Sequence, residues 1–576
     1  MRPSVSLPEP LIRALRRATL NREWLRIYQE AQGQSGISFC TALLEALNVR
    51  CEVSEADLAR IPAQGPVMIM ANHPTGLLDG IVLGAMLPRV RSDFRFLANA
   101  VLEHFPEISS LCFFVDPFGG KGAARRNAAA LKAALAWLKE GKALVTFPAG
   151  EVAHFDLKLG KINEPAWKES VIRLAQAAQA PVVPIFSTGT NSPLFHLAGL
   201  VHPRLRTLLL PHELLNKQNR TVELRVGTVV SSRKVAARQA SDLAVYLRKR
   251  SLLLAKRASH WQPKTEQQEV VEETPLALIE QDLQQLPGER LLVNTGEYQA
   301  WLAHSHEIPN ILRELARLRE LTFRAAGEGT GASADTDEFD LRYLHLFLWH
   351  PASQKIAGAY RIGQTDVILP ELGRKGLYID SLFRIEDAFF QRLGPALELG
   401  RSFVCQEHQK SYAALLTLWK GLGRFISDHP HYRYLFGPVS ISNRYLPLSR
   451  QIMVDFFNRH RRRHDLAALV KPRSPYWSWN PGVKDYTALA EGDAEEISSL
   501  LADIEKDQKG VPVLLRHYLK LGGELLAFNL DRKFSHVLDG LILVDMLGME
   551  RRMLERYMGK ERAQAYLRFH QKTQAA

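Results

Sequence analysis

The stretch PVMIMANHPTGLLDG, residues 66–80, decides how the first half of the chain is read. The apolar run PVMIMA, residues 66–71, has the length of a strand, and the spacing that follows predicts a helix near 75–87. His73 then stands at a strand end, with Asp79 less than two helical turns further on. A carboxylate so placed can accept from one imidazole nitrogen while the other faces a substrate hydroxyl, which makes a general base. The same two residues can instead do no more than cap the helix.

Outward from this stretch the pattern repeats. FRFLA, CFFV, ALVTFP and PVVPIF read as strands, with helices over 122–140 and 165–179 between them, and VELRVGTVV at 222–230 precedes a basic helix over 233–258. Strand and helix in alternation predict an α/β layer with a largely parallel sheet. Two further strand ends carry unusual residues, Phe147-Pro148-Ala149-Gly150-Glu151 and Pro181-Val182-Val183-Pro184-Ile185, and open α/β sheets place their sites at such ends. Asp116 to Gly122, followed by Arg125 and Arg126, offers a glycine-rich turn and two cations suited to a carboxylate or phosphate, or simply a charged surface. It lacks the spacing of a P-loop.

The polar, acidic run QPKTEQQEVVEETP near 262–275 marks a boundary. Beyond it, a helix over 307–325 and strands LHLFLWH and KIAGAYRI, joined across Pro351-Ala352-Ser353 as an antiparallel hairpin, predict an α+β domain. Helices are expected near 386–393 and 409–427. The division is therefore 1–50, a basic amphipathic helical region; 51–258, the α/β domain; 259–280, a linker; and 281–576, the α+β domain.

With 576 residues, 46% of them hydrophobic and 23% charged, the chain has material for two full cores and is neither disordered nor collagenous. Its four cysteines are scattered, so neither a disulfide framework nor a zinc site is expected, and a reducing cytoplasm is the expected compartment. No signal peptide and no run of 18 apolar residues is visible. The charge of +13 suits an anionic partner. Residues 10–30 mix Leu11, Leu15, Trp24, Leu25 and Tyr28 with five arginines, a pattern that fits either an anionic membrane surface or packing on the helix's own domain. Nucleic acid is disfavoured, because no aromatic-interleaved basic motif or helix-turn-helix pattern accompanies the run Arg459-His460-Arg461-Arg462-Arg463.

In order and spacing, the motifs of residues 50–230 resemble the glycerolipid acyltransferase family, in its hemolysin-like branch with N-H-P-x-G-x-x-D-G. The resemblance implies that His73 activates an acceptor hydroxyl, Asp79 orients it, and Gly150, Glu151 and Arg125 help hold the acceptor. Residues 290–545 carry Arg319-x3-Phe323, Asp337-Glu338-Phe339-Asp340, Tyr360-Arg361, Leu382-Phe383, Glu398-Leu399-Gly400-Arg401, Leu418-Trp419-Lys420-Gly421, Phe436 to Ser440 and Tyr518 to Gly523. This set resembles the GNAT-like N-acyltransferases of ornithine-lipid and acyl-homoserine-lactone synthesis. It implies a site lined by Arg319, Phe323, Asp337, Asp340, Arg361, Phe383, Glu398 and Arg401, with Glu398 deprotonating the attacking amine and the acidic loop holding a cationic side chain.

Halves of these two kinds occur fused in bifunctional ornithine lipid synthases. The resemblance therefore implies N-acylation of ornithine with a 3-hydroxyacyl group from acyl carrier protein, then O-acylation of the lyso-ornithine lipid at the cytoplasmic membrane surface, with acyl-CoA as the other possible donor and with no metal or resident cofactor. The same chemistry on glycine, and a lysophospholipid acyltransferase with a non-catalytic GNAT-like half, are the alternatives.

Overall fold

A computed structural model describes residues 22–116, 123–201, 203–257, 267–410, 412–477 and 483–575. The chain divides into two compact units, one of Met1–Ala258 with Ser499–Gln508 and the other of Ser259–Ser498 with Lys509–Ala576. The return of Ser499–Gln508 to the first unit differs from the single 281–576 domain read from the sequence.

In the first unit the strands are β1 (Arg50–Glu52), β2 (Val67–Ala71), β3 (Phe94–Asn99), β4 (Cys112–Val115), β5 (Ala143–Thr146), the hairpin strands β6 (His154–Asp156) and β7 (Lys161–Asn163), β8 (Val182–Ser187) and β9 (Thr221–Val226). Seven of them form one sheet in the order β1-β9-β8-β2-β5-β3-β4. Every neighbour is parallel except β8 with β9. β2 lies near the middle, fully buried, which is why its sequence is an unbroken apolar run. The helix Leu77–Met86 packs so closely on Ile37–Ala46 that a Cβ on Gly84 would meet the Cys40 sulfur at 2.8 Å.

The described part of the N-terminal region, the helix Arg22–Ala31, buries Trp24, Ile27 and Ala31 in this unit's core and leaves Leu25 exposed. Leu11 and Leu15 lie outside the described residues. The helix expected over 233–258 is two, Ser232–Ala237 and Ala240–Leu253. The Gln176 amide takes the Val235 and Arg238 carbonyls at the break, and Arg238 is extended.

The second unit has β10 (Leu291–Thr295), β11 (Tyr298–His304), β12 (Leu344–His350), β13 (Lys355–Gln364), β14 (Phe383–Ile385), β15 (Ala396–Val404), β16 (Tyr434–Ile441), β17 (Val470–Pro472), β18 (Glu524–Asp531) and β19 (Val537–Asp545). Eight strands form a sheet ordered β10-β11-β12-β13-β15-β16-β19-β18, antiparallel except between β15 and β16. The hairpin expected across Pro351 to Ser353 is β12–β13.

β15 and β16 pair only where Ala396–Glu398 faces Tyr434–Phe436. Beyond that point β15 stays with β13 and β16 with β19, so the two strands diverge. Gly437 marks the fork, because a Cβ there would strike the Leu399 carbonyl. A register shift opposite Ala359–Arg361, with Arg401 at φ 47°, bends β15 away.

Candidate active sites

In the first unit, β2 ends one residue before Asn72, whose side-chain amide exchanges two hydrogen bonds with the Ser187 backbone at the end of β8. That pair ties two strand ends together and fixes where His73 starts. His73 Nδ1 lies 2.9 Å from Asp79 Oδ2. Asp79 is at the third position of its helix and is 1% exposed. It also accepts from the Thr75 and Gly76 amides and from the Thr75 and Ser187 hydroxyls. A carboxylate with this many donors is held in one position, so its bond to Nδ1–H fixes that tautomer and leaves Nε2 as the acceptor. Phe147 stacks on the imidazole at 4.0 Å and sets the ring plane.

His73 lines a cavity of about 700 Å³. Trp24, Phe39, Leu43, Phe105 and Ile108 make one part of its wall apolar, as an acyl chain requires. Gly150 and Glu151 line it too. Gly150 is at φ 67°, where a Cβ would meet the Lys168 ammonium, and Glu151 pairs with Arg206 at 3.3 Å. Arg125 is exposed on the helix Ala123–Lys139 and is not part of the lining. Arg126 pairs with Asp116 at 3.6 Å, while Pro117 to Gly122 lie outside the described residues.

Sequence reasoning missed Glu164. It is buried, accepts from the His73 backbone N–H and the Trp167 indole, and burial pushes its carboxyl up to about 7. Nothing local in the sequence marks it. Ser187 and Thr75 were within reach of the strand-end argument.

In the second unit, the predicted residues divide into a buried network and a cavity wall. Arg319 pairs with Asp340 at 2.7 Å, and Arg361 pairs with Asp337 and Asp340. Arg401 pairs with Asp335 at 2.9 Å and Asp337 at 3.4 Å. Although burial acts the other way, Arg319 and Arg361 hold the Asp340 carboxyl below the usual carboxylate range. His345, lowered to about 4 by burial and then by Arg319, is neutral, and its Nε2–H donates to the Asp340 carbonyl. The acidic loop is thus engaged by three arginines of its own chain rather than offered to a ligand.

Glu398 sits in the sheet, 1% exposed, accepting from the Tyr343 hydroxyl and the Ile379 amide, and burial pushes it up to about 7. Tyr343 in turn accepts from the Tyr378 amide. Phe383 is wholly buried in a hydrophobic cluster.

The cavity itself, about 1200 Å³, opens where β15 and β16 diverge, between Ser402, Phe403 and Val404 on one strand and Pro438, Val439 and Ser440 on the other. Of the predicted set only Phe323 and Arg401 line it; Glu398, Arg319, Asp337, Asp340, Arg361 and Phe383 do not. Arg401 reaches the Tyr378 hydroxyl at 3.1 Å and so joins wall to network. The segment Cys405 to Lys410 also lines the cavity just before the helix Tyr412–Asp428, where amides at a helix start suit a phosphate-bearing donor.

Two cavities, one beside a carboxylate-held imidazole and one between splayed strands, define a tandem acyltransferase. A family described as Acyltransferase matches residues 3–259, and one described as Acetyltransferase (GNAT) domain matches residues 318–420. A glycine N(alpha)-acyltransferase of Bacteroides thetaiotaomicron is 33% identical over 267 residues, covering 44% of this chain and 79% of that protein. Its counterpart from Phocaeicola vulgatus is 29% identical, covering 41% and 76%. A lyso-glycine lipid O-acyltransferase of Phocaeicola vulgatus is 26% identical, covering 34% and 71%. The chain belongs to the acyltransferase family of the first of these relatives.

Proposed function

We propose that the chain builds a two-chain amino-acid lipid in consecutive steps, with ornithine as the amino acid. In the second unit the α-amine, once it has lost a proton, attacks the thioester carbonyl of a 3-hydroxyacyl donor; the C–N bond forms, the C–S bond breaks, and the thiol leaves with a proton. In the first unit His73 Nε2 takes the proton of the 3-hydroxyl as that oxygen attacks a second thioester, Asp79 stabilises the imidazolium, and the departing thiol is protonated. The observation that carries this reading is the pairing of the His73–Asp79 dyad at a largely apolar cavity with a strand fork that opens onto a cavity of about 1200 Å³. Glycine is the second reading, favoured by the names of the relatives.

The donor we infer is acyl carrier protein, whose acidity suits the +13 charge, with acyl-CoA as the other source of the same thioester. Of the basic run at 459–463, Arg459 pairs with Asp455 and Arg463 with Asp465 and Glu524, so it adds less to that attraction than its sequence suggests. Among the described residues no helix is long and apolar enough to cross a membrane, and we assign the protein to the cytoplasmic membrane surface, where its lipid intermediate resides. The test is lipid extraction from a heterologous host. The intact protein should yield a diacylated aminolipid, and His73→Ala should accumulate the monoacylated amide; an unchanged lipid profile with well-expressed intact protein contradicts the reading.

A further inference from the structure

The acidic loop read from the sequence as the partner of a cationic side chain is neutralised by arginines, yet two other carboxylates face the cavity of the second unit. Glu328 follows the helix Pro309–Ala326, its backbone N–H closing on the Phe323 carbonyl, and its carboxylate accepts from the Ser440 hydroxyl at 2.7 Å. Asp539 lies on β19 directly opposite Ser440 of β16, so their side chains share one face of the sheet. Asp539 is 5% exposed, lines the same cavity, and its Oδ2 has no hydrogen-bond partner.

A buried acceptor left open beside a second carboxylate is costly unless a donor fills it. Among the described residues neither carboxylate has an ion pair. Of the two cations whose charge reaches Asp539, Arg401 is committed to Asp335 and Asp337, and Arg450 donates to the His536 carbonyl. Burial, with the neighbouring charges of Asp531 and Glu328, raises the Asp539 carboxyl well above its ordinary value, and burial pushes Glu328 up to about 7. A cation held between the two carboxylates would offset both effects with its opposite charge. A primary ammonium, with three N–H donors, can donate to the open Asp539 Oδ2 and to the Glu328 carboxylate together and brings the positive charge they lack.

We propose that Glu328 and Asp539 form a subsite that receives the side-chain ammonium of a diamino acid, and so select such an acceptor over glycine. This rests on the reading of the second unit as an amino-acid N-acyltransferase, and it moves recognition of the acceptor from the loop at 335–340 to the end of the helix Pro309–Ala326 and β19.

Ornithine and norvaline share a carbon skeleton and differ in the terminal amine. Titration calorimetry of the full-length protein with each should give binding of ornithine at least tenfold tighter, and Asp539→Asn or Glu328→Gln should remove that preference while leaving norvaline unchanged. Equal binding of the two by the intact protein overturns the subsite without any variant having to fold. Loss of both ligands by equal factors in folded variants also overturns it. Acyl transfer is scored separately with a 3-hydroxyacyl thioester and ornithine or glycine. If no amine is acylated, the N-acyltransferase reading fails, while the ornithine–norvaline comparison still decides the subsite.

Discussion

Glu398 illustrates how a motif residue and a reacting residue part company. Its two carboxylate oxygens are taken by Tyr343 and Ile379, and it lies off the cavity wall. Its side chain holds the Tyr343–Tyr378 connection, and Tyr378 meets Arg401, so Glu398 acts on the site as a positioning residue. A glutamine can satisfy only one of the two donors it faces, and a buried unsatisfied donor costs about 1–3 kcal/mol. Glu398→Gln should therefore lower stability by about that amount, read by denaturant unfolding, with N-acylation falling mainly through misplacement of the wall. An unchanged unfolding midpoint together with complete loss of N-acylation would restore Glu398 as the group that takes the proton. The first unit offers a contrast: His73 and Asp79 are both motif residues and both where the chemistry needs them, because the short strand-to-helix connection leaves them little freedom.

Among the elements, the helix Pro193–Val201 has the least explained surface. Leu194, Leu197, Leu200 and Val201 are exposed, three of them at intervals of three residues along the helix. The β6–β7 hairpin, which adjoins that helix, exposes Leu157, Leu159 and Ile162 beside Lys158 and Lys161. Apolar residues with a cationic fringe suit an anionic bilayer, and Phe195 of the same helix lines the His73 cavity. Leu197→Glu with Leu200→Glu should cut sedimentation with anionic vesicles several-fold and slow O-acylation of a membrane-embedded acceptor, leaving N-acylation of a free amino acid intact. Vesicle binding that survives both charges would remove this face from the account.

These elements also mark how far the sequence could be read. The central parallel strands are legible because β2 and β5 are buried in full and β8 nearly so, and each reads as an apolar run, while the hairpin at Pro351 is legible from its turn. The strand fork is not, since it is marked by the close approach that Gly437, lacking a Cβ, allows to the Leu399 carbonyl, a contact between separate strands. Likewise the motif arginines were visible but their partners were not, so a charged loop read as open to ligand is closed by its own chain.

For the molecule as a whole, the informative feature is that Ser499–Gln508 belongs to the first unit. There Asp503, wholly buried, pairs with Arg250 at 2.6 Å and Arg60 at 3.2 Å and accepts from the Thr228 amide. Breaking a buried pair by removing one partner costs about 3–5 kcal/mol. Asp503→Ala should cost the first unit about that much, and a fragment ending at residue 258 should lose O-acylation for the same reason, although it retains His73 and Asp79. Adding the 494–508 peptide to the fragment is the control; an active, stable fragment without it would contradict this view of the unit. Nothing in the sequence near Asp503 signals that its partners lie 253, 275 and 443 residues earlier.

In the proposed function the two steps are joined by one atom, the oxygen of the 3-hydroxyl that the first acyl group would carry into the second reaction. Synthetic N-(3-hydroxyhexadecanoyl) and N-hexadecanoyl amides of ornithine and of glycine, each given to the purified protein with an acyl thioester, test that link by mass spectrometry of the products. A second acyl chain should appear on a hydroxylated amide alone, as an alkali-labile ester, and should vanish with His73→Ala. A second chain on the unsubstituted amides, or none on either hydroxylated one, would contradict the tandem assignment.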